Sequence, residues 1–231
     1  MTQRLGQPRA HFRLTDSTNA RARELAGRGV PHGTLVTAAE QSAGRGRQGR
    51  TWSAPAGRAL LCSLVIRDPP PLLPLVAGVA VAECVGPQAR IKWPNDVLVD
   101  GLKVAGILVE ARLAEGWAVV GIGVNVAVAP GKFPVELRDR AGTLGLDSSA
   151  IEPWLEGLLG SLSGWLEASS EAVLDAVRAR DALLGHEVRW REGVGVGAGI
   201  DDSGRLVVRT EAGHVALDAG EVHLVGAPGD A

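Results

Sequence analysis

The stretch from Arg90 to Val126 sets the tightest limits on how this 231-residue chain can fold. It strings together apolar runs of strand length with sharp punctuation between them. Arg90 to Trp93 is stopped by Pro94, which has no N–H to give to a ladder. Val97 to Val99 and Lys103 to Ala111 flank Asp100-Gly101, a dipeptide suited to the left-handed backbone of a tight hairpin turn. Trp117 to Val126 is a further apolar strand, interrupted by Gly121 and Gly123. Upstream, Thr34 to Ala39 and Ala59 to Ile66 read as two more buried strands. These segments describe a sheet with strands of mixed direction, which needs helices packed on it to bury its apolar surface.

The helices are legible from their ends. Asp16 or Ser17 can cap one that runs from Asn19 to Ala26 and is ended by Gly27 and Gly29. After the break at Pro69-Pro70-Pro71, Pro74 sits near the start of another that runs through Val85. Glu152 to Ala168 and Ser170 to Leu184 carry helical patterns whose amphipathicity is explained by core packing. From Gly185 the pattern changes. His186 to Trp190, Val194 to Ile200, Arg205 to Thr210, His214 to Leu217 and Glu221 to Val225 are short strands between Gly and Asp turns, at the spacing of a small closed or half-open barrel. The expected class is α+β, with a larger domain over 1–184 and a small β domain over 185–231.

Composition excludes several functions. With 45% hydrophobic residues the chain can bury one large core and a small satellite. A net charge of −2 provides no global positive field for a nucleic-acid backbone, so basic clusters must act locally. Cys62 and Cys84 are the only cysteines and have neither metal nor redox spacing, which fits a reducing compartment. Met1 to Ala10 is polar and lacks the apolar core of a signal peptide. Leu72 to Val85 is too short to span a bilayer and carries Glu83. The expectation is a soluble, cytoplasmic protein without membrane contact. The five histidines are scattered, with no metal-binding spacing.

Two constellations carry chemistry. Gly44-Arg45-Gly46-Arg47-Gln48-Gly49-Arg50-Thr51-Trp52 combines glycines that let backbone N–H groups approach an anion with arginines whose forked donors suit carboxylate and phosphate oxygens. Trp52 can lay an apolar face over a ring. The segment is not a P-loop, because Arg50 stands where lysine is required and Pro55 and Gly57 interrupt the helix that should follow. Nor is it a disordered Gly/Arg RNA-binding tract, since those come as longer repeats. In the second constellation, Lys92-Trp93-Pro94-Asn95-Asp96 puts Asn95 and Asp96 at an exposed corner, and the hairpin returns Lys103 to their neighbourhood. Taken alone, a lysine and an aspartate there make a surface ion pair of little consequence. Beside an Arg-rich loop they suit the joining of a carboxylate to a nucleotide phosphate. Gly106 allows a flat ligand close to the strand, or marks a bulge. Gly121-Ile122-Gly123-Val124-Asn125 can bring backbone and an amide near a ligand, although no glycine-rich helix start follows it.

The order Ser17-Thr18-Asn19, Glu40-Gln41, the Gly44 to Trp52 loop, Lys92 to Asp96, Lys103-x-x-Gly106-Ile107-Leu108-x-Glu110 and Gly121-x-Gly123-x-Asn125 resembles the biotin protein ligases. The motifs span residues 11 to 126, and the C-terminal half matches in pattern alone. The resemblance implies a catalytic domain like that of class II aminoacyl-tRNA synthetases, with an SH3-like C-terminal barrel. It also implies a two-step reaction in which biotin and ATP, with Mg²⁺, give biotinoyl-5′-AMP, and a lysine of a biotin carboxyl carrier domain then takes the biotin. On that resemblance Ser17, Thr18, Asn19, Gln41, Gly44, Arg45, Arg47, Lys103, Gly106 and Ile107 bind biotin. Arg45, Arg47, Arg50, Trp52, Asn95, Lys103 and Asn125 bind ATP or the adenylate, and Arg47, Lys103 and Asp96 are catalytic. Some relatives carry an N-terminal winged helix and repress transcription. About ten polar residues precede the motifs here, so a mono-functional ligase that binds no DNA is expected. An exposed sheet edge can support a homodimer.

Overall fold

The computed structural model describes residues 5–218, 220 and 222–225. Seven strands form the larger sheet: β1 (Arg9–Phe12), β2 (Leu35–Ala38), β3 (Leu60–Arg67), β4 (Arg90–Lys92), β5 (Asp96–Val99), β6 (Leu102–Arg112) and β7 (Trp117–Val124). Their order is β1-β2-β3-β7-β6-β5-β4. β1 runs parallel to β2, and all other neighbours are antiparallel. Asp100 and Gly101 both have positive φ, 51° and 78°, which is the backbone a two-residue hairpin demands.

The two faces of the sheet are covered differently, and that difference makes the site. On one face, Leu60, Leu64 and Ile66 of β3 and Val120, Ile122 and Val124 of β7 join the main core. Three helices pack there: α2 (Leu73–Val85), α3 (Ile151–Glu167) and α4 (Ser170–Arg178). From Leu73 to Ala82 α2 is apolar because it lies between the sheet and α3, and Leu158 and Leu162 of α3 are fully buried. Truncating one of these leucines to alanine costs about 2–5 kcal/mol. On the other face, α1 (Thr18–Gly27) sets Ala22 and Ala26 over Val36, Val65, Trp117 and Val119. The same face of β7 continues through Gly121 and Gly123, past the start of α1. There only the first turn of α1 reaches over it, through Asn19 above Gly121, and the rigid core behind it forms a firm floor.

The smaller sheet contains β8 (Glu187–Trp190), β9 (Gly193–Ile200), β10 (Leu206–Thr210), β11 (Gly213–Leu217) and β12 (His223–Leu224), in the order β11-β10-β9-β8-β12. Among the described residues β11 and β12 are its edges. It is bolted to the larger unit: the Trp93 indole N–H donates to the Gly204 carbonyl at 3.0 Å. Arg178 donates to the Ile200 carbonyl at 2.9 Å. Val188, Leu206 and Val208 belong to the same apolar cluster as α2 and α3.

Three elements differ from the sequence expectation. β1 has no apolar run, since its Arg-Ala-His-Phe sequence alternates between exposed and half-buried at a sheet edge. α4 ends at Arg178 instead of Leu184 because the chain straightens to pair with β4. Ile91 donates to the Arg180 carbonyl at 2.7 Å and accepts from the Ala182 N–H at 3.0 Å. Residues 127–150, which carry no periodic signal, hold three single 3₁₀ turns at Pro130–Lys132, Val135–Leu137 and Ser148–Ala150. Of the expected strand Glu221 to Val225, Glu221 lies outside the described residues.

Candidate active site

A cavity of about 650 Å³ opens over Gly121 and Gly123, a size suited to a small organic ligand. Ser17, Thr18, Asn19, Gln41, Arg45, Arg47, Arg50, Trp52, Asn95, Asp96, Lys103, Gly106, Ile107 and Asn125 all line it. Gly44 does not. It is buried beneath the loop, and a Cβ there would meet the Trp52 carbonyl oxygen at 2.3 Å, so its role is to let the loop fold on itself. Ile107 contributes backbone only, because its side chain is 2% exposed in the core.

One end of the cavity is a polar cluster at the start of α1. Ser17 occupies the N-cap position, but its side chain makes no capping hydrogen bond. Asp16 instead accepts from the Ser17 N–H at 2.7 Å, and that bond, with help from Arg21, holds its carboxyl below the usual range. Ser17 is 2% exposed and lines the cavity. The Gln41 carboxamide oxygen accepts from the Thr18 N–H at 2.7 Å. Asn19 crosses over Gly121, where an added Cβ would fall 1.9 Å from its Oδ1. The strand glycine is thus a slot for Asn19 and not a nucleotide fingerprint.

The other end is built by the Gly/Arg loop and the hairpin. The loop is closed by the Gly46 N–H donating to the Arg50 carbonyl at 2.7 Å and by the Trp52 N–H donating to the Gly44 carbonyl at 3.0 Å. Trp52 lies over two glycines. A Cβ on Gly123 would be 2.5 Å from its Cε2, and one on Gly106 would be 3.0 Å from its Cζ3. The Lys103 Nζ stands 5.6 Å from the Trp52 ring centroid, in cation–π range. Lys103 also pairs with Asp96 Oδ1 at 2.7 Å. Arg47 donates to Asn95 Oδ1 at 3.0 Å, and Asn95 donates to Asp96 Oδ1 at 3.1 Å. Arg47 and Lys103, 56 residues apart in sequence (103 − 47), are thereby joined through Asn95 and Asp96 in one cavity. Burial pulls the Arg47 guanidinium below its ordinary range, and the charge of Asp96 opposes that. The Asn125 Nδ2 donates to the Gly142 carbonyl at 2.9 Å, which ties the 130–142 segment to the rim.

Sequence reasoning missed three contributors. Phe133, Leu137 and Arg140 line the rim from the aperiodic 127–150 stretch, and Val222, His223 and Leu224 line it from the small sheet. Ser63 lies just beneath the floor, fully buried, and bonds to both Thr18 and Asn19. A serine at the centre of an otherwise aliphatic strand, Leu60–Arg67, was the available signal. Cys62 beside it is buried, and burial pushes its thiol up to about 12, which makes it unreactive. Among the described residues no group of three or more His, Cys, Asp or Glu side chains is placed to hold a metal ion. No helix among them is long and apolar enough to cross a membrane.

The model of the biotin/lipoate A/B protein ligase family matches residues 11–126, and that of the biotin protein ligase C-terminal domain matches residues 184–225. A biotin--[acetyl-CoA-carboxylase] ligase of Paracoccus denitrificans is 40% identical over 239 residues, covering 92% of this chain and 98% of that protein. The bifunctional ligase/repressor BirA of Bacillus subtilis (strain 168) is 42% identical over 155 residues, or 62% of this chain. The chain spans about half of that relative, 48% of its length. Among solved structures, the biotin protein ligase from Aquifex aeolicus in complex with biotin and ATP superposes with a TM-score of 0.80 and 30% identity. The match covers 94% of this chain and 98% of that one.

Proposed function

This chain belongs to the biotin protein ligases, within the biotin/lipoate A/B protein ligase family, and on that premise we propose that its cavity joins biotin to ATP and passes the biotin to a protein lysine. The observation that carries the reading is the meeting of Arg47 and Lys103 around Asp96, beside a separate polar cluster at the start of α1. The polar cluster, Ser17, Thr18, Asn19 and Gln41, holds the biotin bicycle. The cationic end takes the valerate carboxylate and the nucleotide.

The first step brings two anions together. A carboxylate oxygen of biotin attacks the α-phosphorus of MgATP, the bond to the β-bridging oxygen breaks, and pyrophosphate leaves with its electron pair. Lys103 and Arg47 offset the mutual repulsion and the charge that builds on the α-phosphate, the kind of pre-set stabilisation worth about a hundred- to a thousandfold per donor. Arg45 and Arg50 reach the triphosphate from the loop. Trp52 and Asn125 seat the adenosine, and Asn95 holds Arg47 in line. Mg²⁺ arrives as part of the nucleotide substrate, since among the described residues the cavity lining supplies one carboxylate, that of Asp96, already paired with Lys103.

In the second step the neutral amine of the acceptor lysine attacks the biotinoyl carbonyl carbon, AMP leaves, and the surplus amine proton goes to a base. Asp96 fits that role because its contacts with Lys103 and Asn95 both fall on Oδ1, which leaves Oδ2 for the amine. The acceptor is a biotin carboxyl carrier domain, such as that of acetyl-CoA carboxylase. Ile107 and Gly44 act through backbone shape. We further propose the division into residues 1–184 and 185–231, a net-acidic chain that binds no operator DNA, residence in the cytoplasm, and edge β1 as a surface for a homodimer.

The test is transfer. Purified protein with ATP and labelled biotin should label an isolated carboxyl carrier domain on its lysine, and excess lipoate should not compete. Preferential adenylation of lipoate would overturn the assignment.

A further inference from the structure

We infer that Ser63, which does not line the cavity, sets the hydrogen-bond polarity of Thr18 and so makes the site read a ureido N–H; this rests on the reading of the α1 end as the biotin bicycle's seat. The proton order is fixed from Glu110 outward. The Asn19 Nδ2 donates to Glu110 Oε2 at 2.8 Å and to the Leu108 carbonyl at 3.3 Å. Both partners only accept, so the amide has one orientation and Asn19 Oδ1 must receive a proton elsewhere. Gly121 keeps that oxygen in place, as any Cβ there would stand 1.9 Å from it.

Ser63 Oγ lies 2.6 Å from Asn19 Oδ1 and 2.8 Å from Thr18 Oγ1. It has a single proton, which Asn19 claims. The contact between the two hydroxyls must therefore use the Thr18 proton, with Ser63 accepting. Among the described residues the other acceptor within reach of that proton is Gln41 Oε1, which is farther away, at 3.1 Å against 2.8 Å, and already receives the Thr18 N–H. Thr18 and Gln41 both line the cavity, and Thr18 Oγ1 and Gln41 Oε1 are left there as acceptors. A ligand group seated against them must bring its own N–H. The ring carbonyl finds its donor at Ser17, a residue 2% exposed that lines the cavity and whose side chain makes no capping bond. Ser63 is a positioning residue acting through Asn19 and Thr18, with Glu110 as the far anchor.

The experiment compares biotin with two ring analogues, each with one ureido N–H replaced by oxygen, by calorimetric titration of the full chain. Wild type should reject at least one analogue by about a hundredfold or more, since a site built around a polar group leaves its own acceptors facing another acceptor. In Ser63→Ala the Thr18 proton is released to turn toward the cavity. Biotin binding should weaken about tenfold, the scale of one neutral hydrogen bond, while the rejected analogue gains on biotin by about the same factor. The KM for ATP should not move. Thr18→Val should lose the discrimination too, and adding Ser63→Ala to it should change selectivity no further. Unaltered selectivity in Ser63→Ala, or in Thr18→Val should Ser63→Ala not fold, overturns the inference. Failure of wild type to bind biotin at all overturns the functional reading and this inference together.

Discussion

Gly123→Ala tests the seating of Trp52 directly. The new Cβ would stand 2.5 Å from Cε2 and 2.8 Å from Cζ2 of the indole, whereas ordinary contact begins at 3.4 Å. The ring must therefore retreat by about 0.9 Å (3.4 − 2.5). The strand cannot retreat instead, because Ile122 and Val124 on its other face are buried in the main core. Displacement lifts Trp52 from Gly106 and from Lys103, and a misplacement of about 1 Å at a reacting site costs about a hundredfold in rate, or about 2.7 kcal/mol. Gly121→Ala makes the mirror-image insult, forcing Asn19 Oδ1 away from a contact at 1.9 Å. The two glycines lie two residues apart on one strand face, about 6.7 Å, yet they serve opposite ends of the cavity. In steady-state adenylation, Gly123→Ala should lower kcat/KM for ATP about a hundredfold and leave biotin affinity near wild type. Gly121→Ala should damage biotin binding first. Identical kinetic profiles for the two variants, or wild-type ATP kinetics for Gly123→Ala, would refute the two-ended site.

Lys103→Ala should lower adenylation by a hundredfold or more, while thermal stability falls little, since its ion pair with Asp96 is partly exposed and such pairs contribute about 0–1 kcal/mol; near-normal turnover would remove its role. Arg47→Ala should speed release of the biotinoyl adenylate in a dissociation assay, because the guanidinium closes the loop onto Asn95 at 3.0 Å; an unchanged off-rate would count against closure. Asp181 has a buried Oδ2 without a partner among the described residues, and burial raises its carboxyl above the ordinary range. The folded state therefore holds that proton more tightly than the unfolded chain does, and stability is lost as pH rises through the raised value. Asp181→Asn keeps the acceptor for the Leu183 N–H and should flatten that slope in urea titrations from acid to neutral pH; an unaltered slope would refute it.

Elements whose burial is two-sided or periodic were legible in the sequence. β3, β7 and α2 announce themselves because each must be apolar to lie where it does, β6 through its apolar run from Val104 to Val109, and Asp100-Gly101 marks its turn through its own backbone chemistry. β1 was not legible, since a short parallel edge strand with charged and half-buried residues needs neither an apolar run nor alternation. The end of α4 was also hidden: Ala179 to Leu184 retains helix-forming residues, and only its pairing with Ile91, nearly 90 positions earlier, straightens it. At the site, motif spacing placed the Gly/Arg loop, the Trp-Pro corner and the hairpin lysine together. It could not show that Gly121 and Gly123 are slots for Asn19 and Trp52, because close approach of distant side chains leaves no local trace. Nor could it separate Gly106, whose face meets Trp52 and Lys103, from Ile107, whose side chain turns into the core.

The central claim is that one cavity binds biotin and ATP together and makes a mixed anhydride from them. Exchange of labelled pyrophosphate into ATP measures that step without any acceptor protein. Exchange should depend strictly on biotin and be lost in Lys103→Ala. Exchange that proceeds equally without biotin, or none with both substrates present, would contradict it.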